Sequence, residues 1–451
     1  MKEKKAGLPL AISMIVGTVV GSGIFFKSDD VLSKVNGNFK FAIMAWCVGA
    51  IAMIFGALVI AIYASKVSNA NGMVDYFEYT FGKVSKRFGE MCGYLVGWYS
   101  SILFYPSLAA VVSWVAAMYT ATLFGKEDPV NGTFTWILAA SYLVSIFLIA
   151  TFSRLISRYI QVSSVVLKLI PLFIMAIVGV VVGMSNGVDF GDVSSNLSGS
   201  SASFTGAVIA TAFSFDGWIV ATAINDELKN PKKDLPKALF LGTVLIFVIY
   251  VLYFVGVVAT VGVDTVISEG DQAINIAFES LFGKNASVIL IVFIVISCLG
   301  TTNGLIMASS RVSYQIALRG NGIAPSIMSK VNEKTKTPIL SSAAGLGITL
   351  IMLTIWFSNF NPDILFDRFI DISSLPIVLN YIFFSILYIA AMFQFRDLSI
   401  VKRFIFPLLA LSGASLIIYG GFIDESIFLY LIISLIIILC ALPFFRKDKS
   451  V

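Results

Sequence analysis

Apolar runs of roughly 20 residues, the length a helix needs to cross a bilayer, alternate along the chain with short polar joints. Twelve such runs lie near 7–26, 39–65, 89–122, 133–151, 157–184, 203–224, 236–262, 285–318, 338–358, 363–391, 404–421 and 426–445. The third and eighth are long and predict tilt or extension beyond the bilayer. After the seventh, Val263–Gly283 is amphipathic and predicts an external surface helix. Charge placement sets the direction of threading. With the N-terminus inside, 24 of the 31 lysines and arginines fall on the inner side, 6 on the outer side, and Lys168 alone within a span. That asymmetry predicts cytoplasmic termini and supports the span count.

Two runs are interrupted. Gly17–Phe25 reads GTVVGSGIF, and three glycines and a serine within its first seven residues mark a place where a helix opens. The sixth run, Ser203–Asn225, carries a second interruption at Ala212–Trp218, AFSFDGW. Opened helix at membrane depth is tolerated only where protein or a watery cavity receives it. Close packing is the competing reading, since Gly17 and Gly21 make a small-xxx-small pair. Five is an odd number of crossings, so two consecutive five-helix blocks thread in opposite senses. Breaks in the first helix of each block point to an inverted-repeat transporter with its site between them. The blocks are 7–184 and 203–391, followed by two further helices over 404–445.

Composition narrows the class. The chain is 58% hydrophobic and 13% charged, against about 25% charged for soluble domains, which leaves an all-α polytopic membrane protein. There is no histidine, which removes His-ligated metals, Ser-His-Asp triads and histidine proton relays together. Cys47, Cys92, Cys298 and Cys440 lie in apolar runs with no CxxC spacing and read as buried free thiols. No cleavable signal peptide is evident. No metal, cofactor or nucleic acid is expected, and nothing resembles an enzyme's nucleophile–base pair.

The candidate chemistry sits at the breaks. A half-helix starting after the first break presents free N–H groups at Gly21, Ser22 and Gly23, suited to a carboxylate. The half-helix before it frees carbonyls near Thr18 and Val19, and the second break frees those of Ala212, Phe213 and Phe215. Carbonyls suit an ammonium, so the two sets together match an α-amino acid zwitterion. Lys168 lies about 17 Å into its span at 1.5 Å per residue, too deep to snorkel. Its ammonium is expected to cap the opened first helix where a coupling Na⁺ would otherwise sit. Asp216 reads either as a contact favouring cationic substrates or as the N-cap of a half-helix starting at Gly217. Phe213 is a candidate lid, Tyr105 and Ser214 candidate pocket lining, and Trp218 a packing residue.

GTVVGSGIF, FSFDGW and NDELKNPKKDLPKAL (Asn225–Leu239) together resemble the L-amino acid transporter family of the amino acid–polyamine–organocation superfamily. The similarity runs over essentially the whole chain, and bacterial serine/threonine and alanine-serine-cysteine exchangers look nearest. The resemblance implies twelve helices in the LeuT-type five-plus-five inverted fold. It also implies sodium-independent exchange of small neutral L-amino acids such as alanine, serine, threonine and cysteine. By motif, Ser22 and Gly23 would bind the substrate carboxylate, and the Val19 and Phe213 carbonyls the amine. Phe213 would gate the extracellular side, and Lys168 matches the family lysine of the fifth helix. Asp216 stands where glycine or alanine also occur in such motifs. Phe124–Thr133 lacks the cysteine through which animal relatives link to a heavy glycoprotein, so no disulfide-linked partner is expected and a monomer suffices. The short termini suggest a bacterial inner-membrane protein, in which the sequons at Asn131, Asn196 and Asn285 carry no meaning. Proton-coupled uptake, exchange that includes cationic amino acids through Asp216, and a sensor without flux remain as alternatives.

Overall fold

The computed structural model describes residues 7–21, 23–67, 72–186, 201–361, 370, 372, 375–423 and 427–445. In chain order the helices are α1 (Leu8–Val19), α2 (Gly23–Phe26), α3 (Ser28–Lys34), α4 (Phe39–Lys66), α5 (Met73–Gly82), α6 (Lys86–Tyr99), α7 (Tyr105–Leu123), α8 (Thr133–Phe152), α9 (Arg154–Ile174) and α10 (Val180–Asn186). They continue as α11 (Ser201–Phe215), α12 (Pro231–Val261), α13 (Val263–Glu269), α14 (Ala273–Phe282), α15 (Ala286–Leu318), α16 (Pro325–Met328), α17 (Ile339–Ser358), α18 (Leu375–Gln394), α19 (Phe406–Ile423) and α20 (Ile427–Leu439). No β-strand occurs among the described residues. Single π-turns at Ser100–Phe104 and Met175–Gly179 join α6 to α7 and α9 to α10.

Among the described residues, ten helical stretches are long and apolar enough to cross a membrane. The first and sixth apolar runs are not among them, because each is cut short: α1 and α11 have 12 and 15 residues. Burial separates an inner from an outer set. The apolar window of α6–α7 is 83% buried and that of α15 67%, against 28% for α8 and α17 and 22% for α20. The inner pair, α7 and α15, run against each other, as do α4 and α12. Elsewhere glycine sets the spacing. A Cβ at Gly179 would lie 2.7 Å from the Gly256 carbonyl oxygen, so α12 touches the π-turn after α9 backbone to backbone.

Local chemistry fixes the helix ends. Asn38 accepts from the Phe41 N–H at the start of α4, and Ser153 accepts from the Ile156 N–H at the start of α9. Pro231 opens α12, where its missing N–H costs nothing. One expectation changes. Residues 263–283 form not one surface helix but α13 and α14, divided by a 3₁₀ turn at Gly270–Gln272 with Gly270 at φ +53°. The start of the tenth run near 363 lies outside the described residues, and α18 is described from Leu375. Between α17 and α18 the Asn359 side chain pairs with both backbone groups of Ile370, each bond 2.8 Å.

The helix α9 is inside out. Ser157, Gln161, Ser164 and Lys168, spaced by four, three and four residues, are buried along one face, whereas Tyr159 and Val166 opposite are 67% and 61% exposed. An ordinary soluble helix has the reverse pattern. The polar face of α9 packs on α1 and α15.

Candidate functional site: the two helix breaks

Helix α1 stops at Val19 and α2 restarts at Gly23. Such a break strands carbonyls that a continuous helix would have bonded. The Lys168 ammonium, fully buried, donates to the Gly17 carbonyl at 2.8 Å, the Val20 carbonyl at 2.6 Å and Thr301 Oγ1 at 3.2 Å. Thr301 Oγ1 also donates to the Gly17 carbonyl at 2.9 Å, and Ser297 Oγ to the Val20 carbonyl at 3.1 Å. The Tyr250 hydroxyl donates to the Val19 carbonyl at 3.1 Å. No carboxylate pairs with Lys168 among the described residues. Its charge is held by backbone carbonyls and hydroxyls alone, the donor set that would hold a hard metal cation. Finally, the Gly21 N–H donates to the Val19 carbonyl at 2.8 Å, so a donor and an acceptor released by the break satisfy each other.

The second break lies against the first. Helix α11 ends at Phe215, Asp216 follows, and Gly217 turns the chain with φ +101°, a conformation L side chains rarely adopt. A Cβ there would sit 3.0 Å from the Thr18 carbonyl oxygen. Across the same contact, Thr18 Oγ1 donates to the Gly217 carbonyl at 2.9 Å. The chain then continues as a 3₁₀ helix over Trp218–Glu227. Phe215 stacks on Tyr250 at 5.3 Å and meets Trp46 edge-on at 5.6 Å, while Trp218 packs on Phe384 at 5.3 Å. Ser214 Oγ, both Asp216 oxygens and Trp218 Nε1 are buried here without a hydrogen bond of ordinary geometry among the described residues. Asp216 is near enough to Tyr99, Tyr105 and Tyr381 to act on them electrostatically.

The expected residues are thus drawn into one place. Thr18, Val19, Gly21 and Lys168 meet at the first break, and Ser214, Phe215 and Asp216 at the second. Ala212 is buried in the last turn of α11, and Gly23 is half-buried at the start of α2. Tyr105 is buried just beyond the first π-turn, its ring 5.0 Å from that of Phe104. Gly17 packs rather than opens: a Cβ there would collide with the Gln161 amide and come within 2.9 Å of Val165. The Val19 carbonyl is not free but shared between Tyr250 and Gly21. Ser22 and the side chain of Phe213 lie outside the described residues. Sequence reasoning missed Thr301, Ser297, Tyr250, Gln161 and Asn303. The polar stripe of α9 was the available signal for Gln161, because its spacing carries that residue onto the face that holds Lys168.

Comparison with known proteins gives the family. The amino acid permease family model matches residues 7–451. The serine/threonine exchanger SteT of Bacillus subtilis (strain 168) is 28% identical over 455 residues, 99% of this chain and 97% of that protein. The b(0,+)-type amino acid transporter 1 of Oryctolagus cuniculus is 28% identical, covering 74% of this chain and 67% of its own. The cystine/glutamate transporter of Homo sapiens is 25% identical, covering 78% and 68%. With its membrane-spanning helices, the chain belongs to the amino acid permease family and is a transporter rather than an enzyme.

Proposed function

We propose that this protein exchanges small neutral L-amino acids, such as alanine, serine, threonine and cysteine, across a bacterial inner membrane without sodium. The Gly21 N–H bonded to the Val19 carbonyl carries the reading. A zwitterion splits such a pair: its carboxylate takes the N–H groups of Gly21, Ser22 and Gly23, and its ammonium takes the Val19 carbonyl. Further carbonyls for the amine come from Thr18, Ala212, Phe213 and Phe215, with Phe213 as the gate and Tyr105 and Ser214 lining the pocket. Lys168 stands in for a coupling cation, which removes the need for Na⁺.

The transport cycle is alternating access of a twelve-helix, five-plus-five inverted fold with cytoplasmic termini, acting as a monomer without a disulfide-linked partner. The helix pairings support the repeat. α1 lies on α12 as α11 lies on α4, while α4 and α12 pair with each other, as expected when the first and second helices of each block exchange places. Counterflow tests the function. Proteoliposomes preloaded with one labelled amino acid are challenged from outside with each of the twenty, with and without Na⁺. Trans-stimulation by small neutral amino acids in both salts is expected; accumulation only with Na⁺, or no trans-stimulation, overturns the proposal.

The Asp216 carboxylate, buried and paired with no cation among the described residues, favours a second reading, in which the site also accepts cationic side chains or couples to a proton. A pH gradient that drives accumulation in liposomes lacking internal substrate would support the proton-coupled form.

A further inference from the structure

The buried Gln161 amide has no part in the zwitterion site, yet three helices are built around it. Its Nε2 donates to the Ser13 carbonyl of α1 at 3.4 Å, and its Oε1 accepts from Asn303 Nδ2 of α15 at 3.0 Å. Asn303 is tied back to α9 in turn: its Nδ2 donates to the Ser157 carbonyl at 3.2 Å, and its Oδ1 accepts from Ser157 Oγ at 2.8 Å. All three side chains are buried. The neighbouring helices each carry a glycine where they face this amide. A Cβ at Gly17 would overlap Gln161 Nε2, and one at Gly304 would lie 3.4 Å from both Gln161 Nε2 and Oε1 and 2.6 Å from Thr18 Cγ2. The amide therefore occupies a socket between the backbones of α1 and α15.

We infer that Gln161 is a positioning residue for transport, a pin that holds the cytoplasmic half of the broken helix on α9 and α15 and so slows reorientation of the empty carrier. Lys168 grips α1 at the break itself, whereas Gln161, seven residues earlier on α9, grips it nearer the cytoplasmic end. Movement of α1 away from α9 must break the bond to Ser13 and withdraw Gly17 from the amide. A buried amide does not lose its partners freely. Water can replace them, since a cavity of about 30 Å³ lined by Arg154, Ser157, Arg158, Met307 and Arg311 adjoins the network, and Ser157 and Met307 both contact Asn303. The pin is thus releasable, and substrate bound at the break supplies what releases it. This last step rests on the exchange reading above; the pin itself does not.

The test uses the full chain in proteoliposomes, with Gln161→Met, which keeps length and removes the amide, and Asn303→Ala, which removes its partner and serves if the first variant does not fold. One readout is the ratio of net efflux into amino-acid-free buffer to exchange against external substrate. It is expected to rise about tenfold, with KM within about threefold of the parent, because the substrate contacts are untouched. The second readout is labelling of Ser13→Cys on α1 by a membrane-impermeant thiol reagent from the cytoplasmic side, above the background of the native cysteines. Faster labelling when either pin residue is replaced is expected, and it does not depend on exchange. If the parent shows no exchange but labelling still accelerates, the exchange reading falls and the pin stands. Unchanged labelling in both variants overturns the pin, as does a rise in KM with no change in the efflux ratio.

Discussion

The two breaks touch each other and differ in one respect. At the first, the carbonyls of Gly17, Val19 and Val20 accept from Lys168, Thr301, Ser297 and Tyr250. At the second, the buried Ser214 hydroxyl has no partner of ordinary geometry among the described residues, and the Asp216 carboxylate has only the Gly217 backbone N–H beside it. A saturated break is rigid and presents the same groups to every ligand. An unsatisfied one carries a penalty that a ligand can relieve. On the proposed function the difference points to a division of labour, in which the first break takes the carboxylate and the amine, the second adds backbone carbonyls to the amine, and the polar side chains of the second read the substrate's side chain.

The largest effect should come from emptying the first break. Lys168→Ala leaves the Gly17 and Val20 carbonyls with hydroxyl donors only, and exchange should fall at least about 100-fold, since charge-assisted bonds of this kind are the strong ones. Sodium-dependent uptake surviving in that variant, with a Na⁺ requirement in the parent, would count against Lys168 as the fixed cation. Next is the junction. Gly217→Ala forces a Cβ into left-handed backbone 3.0 Å from the Thr18 oxygen. It should cost about 1–2 kcal/mol of thermal stability from the backbone alone, together with about tenfold in rate.

The comparison is sharpened by touching the second break alone. Asp216→Asn should change the lysine-to-alanine preference about tenfold while alanine exchange stays within about threefold. A general fall with unchanged preference would instead mean that Asp216 serves the helix. Tyr250→Phe removes a competitor for the Val19 carbonyl, so KM for alanine should fall or stay within about threefold, measured by initial exchange rates. The smallest effect is expected far from both breaks. Asp397, in the joint before α19, is held below the ordinary carboxylate range by the hydrogen bond from Lys66. That pair is complete above about pH 4 and is lost only as pH falls through the lowered value, so Asp397→Asn should leave the exchange profile from pH 5 to 8 unchanged.

Much of this arrangement can be read from the chain. Glycine and serine within an apolar run announce both breaks, and a lysine at mid-span has few places to put its charge other than on stranded carbonyls. What could not be read depends on which helix lies opposite. Thr301 and Ser297 sit in a long apolar run with nothing local to mark them. They matter because α15 passes the first break at that height. Tyr250 is one of many buried tyrosines until α12 lies against α1. Gln161 and Asn303 lie between these cases. Their side chains are conspicuous in apolar helices, but the socket that explains them is made by glycines on two other elements.

The division of labour rests on the first break recognising both charges of the zwitterion, and competition measures that directly. Labelled alanine exchange is challenged with unlabelled alanine, alanine amide, propionate and ethylamine, in the parent and in Asp216→Asn. The account predicts that only alanine competes in both proteins. Competition by propionate or ethylamine within about tenfold of alanine would contradict it, because one charge would then suffice and the Gly21–Val19 pair need not be split.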